Sequence, residues 1–250
     1  MDALTYLERM NYRGSTQPTS ETLRKIHRAH LLAVPFENLD LHLNRRIVLY
    51  EAALYEKIVV NKRGGFCYEL NGLFAALLKE LGFRVTLLNS LIPESHNGCG
   101  MDYDHPILLV ELDDRWIVDV GFADSNRLPL KLDDRGEQMG VGVAYRITPD
   151  GDGRWAFHKR LETGEWEFYY AFTLQPCRLS DFKEACVHYE TSPVSSFTQK
   201  RVCTIATPNG HITLTDDRLI IARDGHKQET PLSGEFDFTI ALNEYFGINL

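Results

Sequence analysis

The chain has no paired cysteines. Its five, Cys67, Cys99, Cys177, Cys186 and Cys203, are odd in number, scattered and without a CxxC spacing, which argues against a disulfide framework or a zinc ribbon and for reduced thiols. It has no apolar run approaching the roughly 18–20 residues of a membrane span; the run Ile107 to Val110 is flanked by His105 and Glu111. It has no basic stripe either. Against 27 Lys and Arg stand 35 Asp and Glu, a net charge of −8, so a nucleic acid is not an expected partner. No P-loop or dinucleotide fingerprint occurs, since Gly140 and Gly142 stand in strand-like sequence with no helix after them. The first residues, MDALTYLERMNYRG, carry acids and interrupted apolar positions where a secretory leader needs a basic start and an unbroken apolar core. These absences set the expectation of a cytoplasmic protein with no membrane, nucleic-acid or metal partner.

What is present divides by hydrophobic period. Over residues 1–83 the apolar spacing is helical: DALTYLERM after Asp2, TSETLRKIHRAHLLA after Thr19 or Ser20 with Leu23, Ile26 and His30 on one face, LYEAALYEKIVV with Leu54 and Ile58 inward, and a helix from Cys67. That last helix carries Leu70, Leu73, Phe74, Leu77, Leu78 and Leu81 and stops near Gly82. From Arg84 the period becomes that of strands, in RVTLLNSLI, HPILLVEL, RWIVDVGF, VAYRIT, RWAFHKRL and EFYYAFTL, which predicts an antiparallel sheet or barrel over 84–190 with a helix, SDFKEACVHYE, near its end. Residues 191–250 add four more strands, hairpin signals at Asn209-Gly210 and Asp224-Gly225, and a final helix from Ser233 to Phe246. At 250 residues the chain suits subdomains sharing a core.

The position that calls for chemistry is Cys67, in NKRGGFCYELNGLF. A helix start exposes unpaired N–H groups and about half a positive charge, which favours a thiolate. An unperturbed thiol near pKa 8.5 is only a few per cent ionised at neutral pH, and a helix start with an imidazolium lowers it by several units. Gly64 and Gly65 would let the backbone turn tightly and leave room for a substrate. Most cysteines merely pack, so a nucleophile also needs a base and an orienting group. His105 in DYDHPILLV and Asp119 in WIVDVGF are the candidates. Register tests this choice. A two-residue Asp113-Asp114 loop would put His105 and Asp119 on opposite sheet faces, so a triad requires an odd-numbered loop, a bulge or a bend. A metal held by His96, Cys99 and His105 is the weaker use of these side chains, because the spacing is irregular and a fourth ligand is missing.

RGGFCYELNGLF, His105 and VDVGF, together with VPFENLDLH (Val34 to His42) and SPVSSF (Ser192 to Phe197), resemble the arylamine N-acetyltransferases over nearly the whole chain. The resemblance implies an α+β fold of helical bundle, antiparallel β-barrel and α/β lid, with a catalytic core like that of cysteine proteases and transglutaminases. It implies acetyl-CoA as acetyl donor, an aromatic amine, hydrazine or hydroxylamine as acceptor, and no metal. Carried over by motif, Cys67 is the acetylated nucleophile, His105 its base and Asp119 the orienting carboxylate. Phe36, Phe122 and Phe197 fall where the family lines the acceptor pocket. Asp104, Gly121 and Ala123 fall where members contact coenzyme A, although Ala123 replaces the usual glycine and Asp104 an expected small or neutral residue. Glu37 and Arg63 are expected to pair structurally. The rival readings of the same residues are a thiol hydrolase or transglutaminase-like enzyme and a noncatalytic small-molecule binding module.

Overall fold

The computed structural model describes residues 1–96, 98, 100–122 and 128–250. Asp2 accepts from the Leu4 and Thr5 N–H groups and starts α1 (Ala3–Arg9). Thr19 does the same for Thr22 and starts α2 (Ser20–Ala33), which buries Leu23, Ile26 and His30. A two-residue strand β1 (Phe36–Glu37) and one-turn α3 (Leu39–His42) follow. Next come α4 (Glu51–Tyr55), which runs on as a π turn over Glu56–Val60, and α5 (Cys67–Glu80). Helix α5 stops where Gly82 takes the left-handed φ of 85°. Leu70, Leu73, Phe74, Leu77 and Leu78 on α5 are fully buried, each stabilising the core by about 1.5–3 kcal/mol. This is what fixes the helix that carries Cys67.

Strands β2 (Arg84–Leu91), β3 (His105–Glu111), β4 (Arg115–Val118), β5 (Leu130–Lys131), β6 (Gln138–Met139), β7 (Ala144–Pro149), β8 (Arg154–Arg160) and β9 (Trp166–Pro176) form one antiparallel sheet, in the order β5-β4-β3-β2-β9-β8-β7-β6. It curls into a nearly closed barrel around Leu88, Ile107, Ile147, Phe157, Tyr170 and Phe172. The two edges are bridged by a side chain. Gln138 accepts from the Lys131 N–H at 2.7 Å and donates to the Lys131 carbonyl at 2.8 Å, copying the backbone pairing that β5 and β6 lack. After β9 a 3₁₀ turn (Leu179–Phe182) leads into α6 (Lys183–Thr191) and α7 (Ser196–Gln199).

Strands β10 (Val202–Thr207), β11 (Gly210–Thr215), β12 (Arg218–Arg223) and β13 (His226–Pro231) make a second sheet, covered by α8 (Glu235–Phe246) through Phe238, Leu242 and Phe246. Its order is β1-β10-β11-β12-β13, so Phe36–Glu37 from the helical part supplies one edge.

Two local expectations need correcting. In the β10–β11 hairpin Thr207 pairs with Gly210, so the loop residues are Pro208 and Asn209, not Asn209-Gly210. Gly210 sits where a Cβ would lie 1.8 Å from the Ala222 carbonyl oxygen; it is there for close strand approach. The Asp224-Gly225 hairpin does form, with φ of 51° and 79°. The strand expected through VDVGF ends at Val118, because the Asp119 carboxylate and the Val120 N–H turn to bond Asn71 on α5.

Candidate active site

In the β3–β4 hairpin Glu111 pairs with Arg115. The loop is therefore Leu112 to Asp114, three residues, the odd number that returns His105 and position 119 to one face. His105 Nε2 lies 2.9 Å from Asp119 Oδ2, both side chains 2% exposed. The other carboxylate oxygen accepts from Asn71 Nδ2 and the Gly121 N–H, each at 2.8 Å. Asn71 stands one helical turn beyond Cys67 on α5 and also bonds the Pro106 carbonyl at 2.7 Å and the Val120 N–H at 2.9 Å. His27 Nε2 is 2.9 Å from the Asp119 carbonyl oxygen. Burial works against the Asp119 charge, but His105, Asn71 and the Gly121 N–H outweigh it and hold the group below the usual carboxylate range.

Cys67 is the first residue of α5 and 7% exposed. A Cβ on Gly121 would lie 2.8 Å from Cys67 Cα, so the residue two beyond Asp119 packs directly on the thiol-bearing backbone. Helix start, imidazole and carboxylate are thus brought together from three separate segments. Burial pushes the Cys67 thiol well up; Cys186, Asp104 and Asp119 add to this, and the Tyr68 N–H opposes it. The expected depression of the resting thiol is absent because desolvation exceeds the effect of the helix start.

The approach to Cys67 also departs from expectation. Neither Gly64 nor Gly65 has positive φ. A Cβ on Gly64 would lie 2.1 Å from the Pro35 carbonyl oxygen, and Glu37 N–H donates to the Gly65 carbonyl at 3.0 Å. The glycines admit β1, not a tight turn beside the substrate. Arg63 Nη2 meets Glu37 Oε1 at 2.7 Å and Asp40 Oδ1 at 3.0 Å, and Lys57 bridges Asp40 at 2.7 Å and Glu69 at 2.9 Å. Glu69 in turn accepts from the Phe66 N–H at 2.8 Å and caps α5. Removing one member of this buried network costs about 3–5 kcal/mol. Asn38 joins the PFEN and SPVSSF segments by donating to the Phe197 and Lys200 carbonyls and accepting from the Val202 N–H.

A cavity of about 470 Å³ opens between the barrel and the second sheet, lined by Phe36, Phe122, Leu31, Val34, Tyr145 and Lys159 among others. The Phe122 ring stands edge-on to His105 with centroids 5.5 Å apart. Phe197 packs behind Phe36 at 6.0 Å and against Phe66 at 4.6 Å and is not among the cavity-lining residues. Asp104, expected at a cofactor contact, is 2% exposed and faces inward. Gly121, expected in the same role, is filled in by Cys67 and Asn71. Ala123 and Cys99 lie outside the described residues. The sequence does not single out Asn71, His27, Tyr189 or the Tyr68 side chain, although it marks the N–H groups near Cys67 and Tyr68 as candidates for holding an oxyanion. The available signal for Asn71 was a polar residue four positions after the thiol within an apolar helix face.

A family model described as N-acetyltransferase matches residues 19–250, and an arylamine N-acetyltransferase of the pineal gland of Gallus gallus is 34% identical over all of this chain and 95% of its own length. The chain belongs to the arylamine N-acetyltransferase family. It is an acyltransferase. Among solved structures of the family, that from Salmonella typhimurium superposes with a TM-score of 0.92 at 32% identity, covering 98% of this chain and 90% of that one. The Mycobacterium marinum enzyme in complex with CoA gives 0.89 at 30% identity, covering 99% and 93%. Family membership does not by itself name the product, since a relative 31% identical over 95% of this chain and 94% of its own length is the proansamycin X synthase of Amycolatopsis mediterranei.

Proposed function

We propose that this N-acetyltransferase moves an acetyl group from acetyl-CoA to the nitrogen of an arylamine, arylhydrazine or arylhydroxylamine in two steps through an acetyl-Cys67 intermediate. The observation that carries the reading is the His105–Asp119 pair at 2.9 Å, set near a thiol at a helix start and reached from a cavity through Phe122, which lines it and stands edge-on to His105. The CoA-bound mycobacterial relative supports the donor, and the relatives' names support the acceptor class.

In the first step the Cys67 proton passes to His105 as sulfur attacks the thioester carbonyl, which answers the high resting position of the buried thiol. The C–S bond to coenzyme A breaks, and its thiolate leaves with the proton from His105. In the second step the amine nitrogen attacks the acetyl carbon, His105 takes the ammonium proton, and Cys67 is released. Such proton management contributes about 10²–10⁴ in rate. Asp119 orients the imidazole through Nε2, leaving Nδ1 for the exchange. The N-cap Phe66 offers no side-chain acceptor to the first turn of α5, so its N–H groups are suited to hold the tetrahedral oxyanion. Phe36 and Phe122 give an apolar seat to a neutral aromatic amine. Free thiols at Cys67, Cys177, Cys186 and Cys203 suit a reducing cytoplasm.

Intact mass after mixing with acetyl-CoA alone tests this. One added acetyl group, absent from Cys67→Ala and discharged by an arylamine, is expected. An adduct that survives amines but is cleared by water would move the assignment to a hydrolase, and no adduct at all would overturn acetyl transfer.

A further inference from the structure

Asn71 stands four residues after Cys67 on α5 and is fully buried. Its Nδ2 donates to the Pro106 carbonyl at 2.7 Å and to Asp119 Oδ1 at 2.8 Å, and its Oδ1 accepts from the Val120 N–H at 2.9 Å. Two acceptors flank one end of the amide and a donor faces the other, so its partners allow a single orientation. Pro106 follows His105 and Val120 follows Asp119. One side chain on the nucleophile's helix therefore holds the chain neighbours of the base and of the carboxylate, and the carboxylate itself.

The register of the β3–β4 hairpin gives this contact its meaning. Leu108 pairs with Val118, so a continued ladder would set Ile107 opposite Asp119 and Pro106 opposite Val120. The ladder stops at Leu108 and Val118 instead, and the Asn71 amide bonds both Pro106 and Val120. A proline suits the point of opening, since Pro106 has no N–H to offer a partner strand. Released from the ladder, the Asp119 carboxylate is held at both ends. Oδ1 takes Asn71 and the Gly121 N–H, which leaves Oδ2 for His105 at 2.9 Å.

We propose that Asn71 is a positioning residue for acetyl transfer: its amide wedges β3 and β4 apart at Pro106 and Val120, turns Asp119 toward His105, and fixes that pair relative to the thiol on its own helix. The proposal deepens the acyl-transfer reading above and rests on it. Asn71 acts through His105 and Asp119, not on the reacting carbonyl. The device has little slack, because all three bonds come from one planar group whose helix neighbours Leu70, Leu73 and Phe74 are fully buried. A shift of α5 is thus passed to base and carboxylate together. A carboxylate of the same size does not replace the amide. Asn71→Asp sets an oxygen where the site needs a donor to both Pro106 and Asp119.

The test is a double-mutant cycle on the single-turnover rate of acetyl-Cys67 formation from acetyl-CoA, read by intact mass after rapid quench in wild type, Asn71→Ser, Asp119→Asn and the double variant. The rate of Cys67 alkylation by iodoacetamide is measured on the same four proteins. Asn71→Ser should slow acetylation by about tenfold or more. In the Asp119→Asn background the carboxylate it aims is already gone, so the same replacement should cost at least about threefold less, beyond the scatter of independent sites. A purely structural role would cut the rate by the same factor in both backgrounds. A smaller loss in folded Asn71→Ser, or a smaller difference between the backgrounds, overturns the proposal. Asn71→Asp, the closer match in shape, should be at least as slow as Asn71→Ser; a faster Asn71→Asp would show that shape and not the donated bonds matters, and overturns it too. Should Asn71→Ser not fold, Asn71→Asp takes its place in the cycle, and failure of both to fold would make Asn71 a stability residue and end the positioning role. A wild type that is alkylated at Cys67 but never acetylated would defeat the acetyltransferase reading alone, and the alkylation rates would then judge Asn71 by the same comparison.

Discussion

Replacing Asp119 by asparagine keeps the side chain's size but leaves one accepting oxygen where the site uses two. In the native residue Oδ1 takes Asn71 and Gly121 while Oδ2 takes His105. If the asparagine oxygen keeps the first pair, its amide must donate to His105 Nε2, and the ring's proton moves to Nδ1, where it cannot receive the thiol proton. Asp119→Asn should thus slow acetyl-Cys67 formation by about 10²–10⁴ while the far-UV CD spectrum is retained; single-turnover rates within tenfold of wild type would sink the assignment. Gly121→Ala tests the same junction by space. Its methyl would press on Cys67 Cα at 2.8 Å and Asn71 Nδ2 at 2.5 Å, so activity should fall by at least tenfold, and unchanged kcat would show that the contact relaxes freely.

The strands and helices were legible from the sequence wherever the apolar period is clean. The α5 face, from Leu70 to Leu78, and the alternation around Ile107 are such places, as is the parity argument that a two-residue Asp113-Asp114 loop would separate His105 from Asp119, so that a shared face requires an odd loop such as the one found at Leu112 to Asp114. What a sequence does not carry is the direction of an isolated polar side chain. Asp104 reads as a cleft residue beside His105 and is turned inward by Tyr189, which lies 85 residues away. The same limit applies to glycines, whose dipeptide context suggested turns at Asn209-Gly210 and beside Cys67 where the structure uses them for backbone contact. The two glycines of the β11–β12–β13 meander separate these uses. Gly210→Ala collides with the Ala222 carbonyl and should cost about 2 kcal/mol or more. Gly225→Ala meets nothing within 4 Å and bears only the positive φ of 79°, a cost of roughly 1–2 kcal/mol. Urea unfolding of the two variants checks the order, and a larger loss at Gly225 would reverse the reading of both turns.

Helix α2 lies against α5 through the His27 and His30 rings on Phe74 and reaches the Asp119 carbonyl through His27, and the buried histidines there make the fold sensitive to acid. His30 is 0% exposed, with Nε2 3.0 Å from Tyr6 Oη and Nδ1 without a partner among the described residues. Burial drives its pKa well down, with His27 and Arg9 adding to the effect. The folded state therefore refuses a proton that the unfolded chain accepts near pH 6.5. Above that pH His30 is neutral in both states and contributes nothing to the pH dependence. Below it the unfolded state gains protons and the folded state does not, so stability falls by up to about 1.4 kcal/mol per pH unit for this one group. Asp40 and Asp119 are held below the usual range, and their contributions are present above about pH 4 and are lost only below it. Between pH 7.5 and 5.5 the loss should be traceable to histidine. The urea midpoint of the wild type should drop over that interval. His30→Gln retains an acceptor for Tyr6 and should show a shallower drop, whatever its stability at pH 7.5. Equal slopes in the two proteins would mean that His30 takes up its proton without unfolding, and that the contact between α2 and the site behind Asp119 is looser than its burial implies.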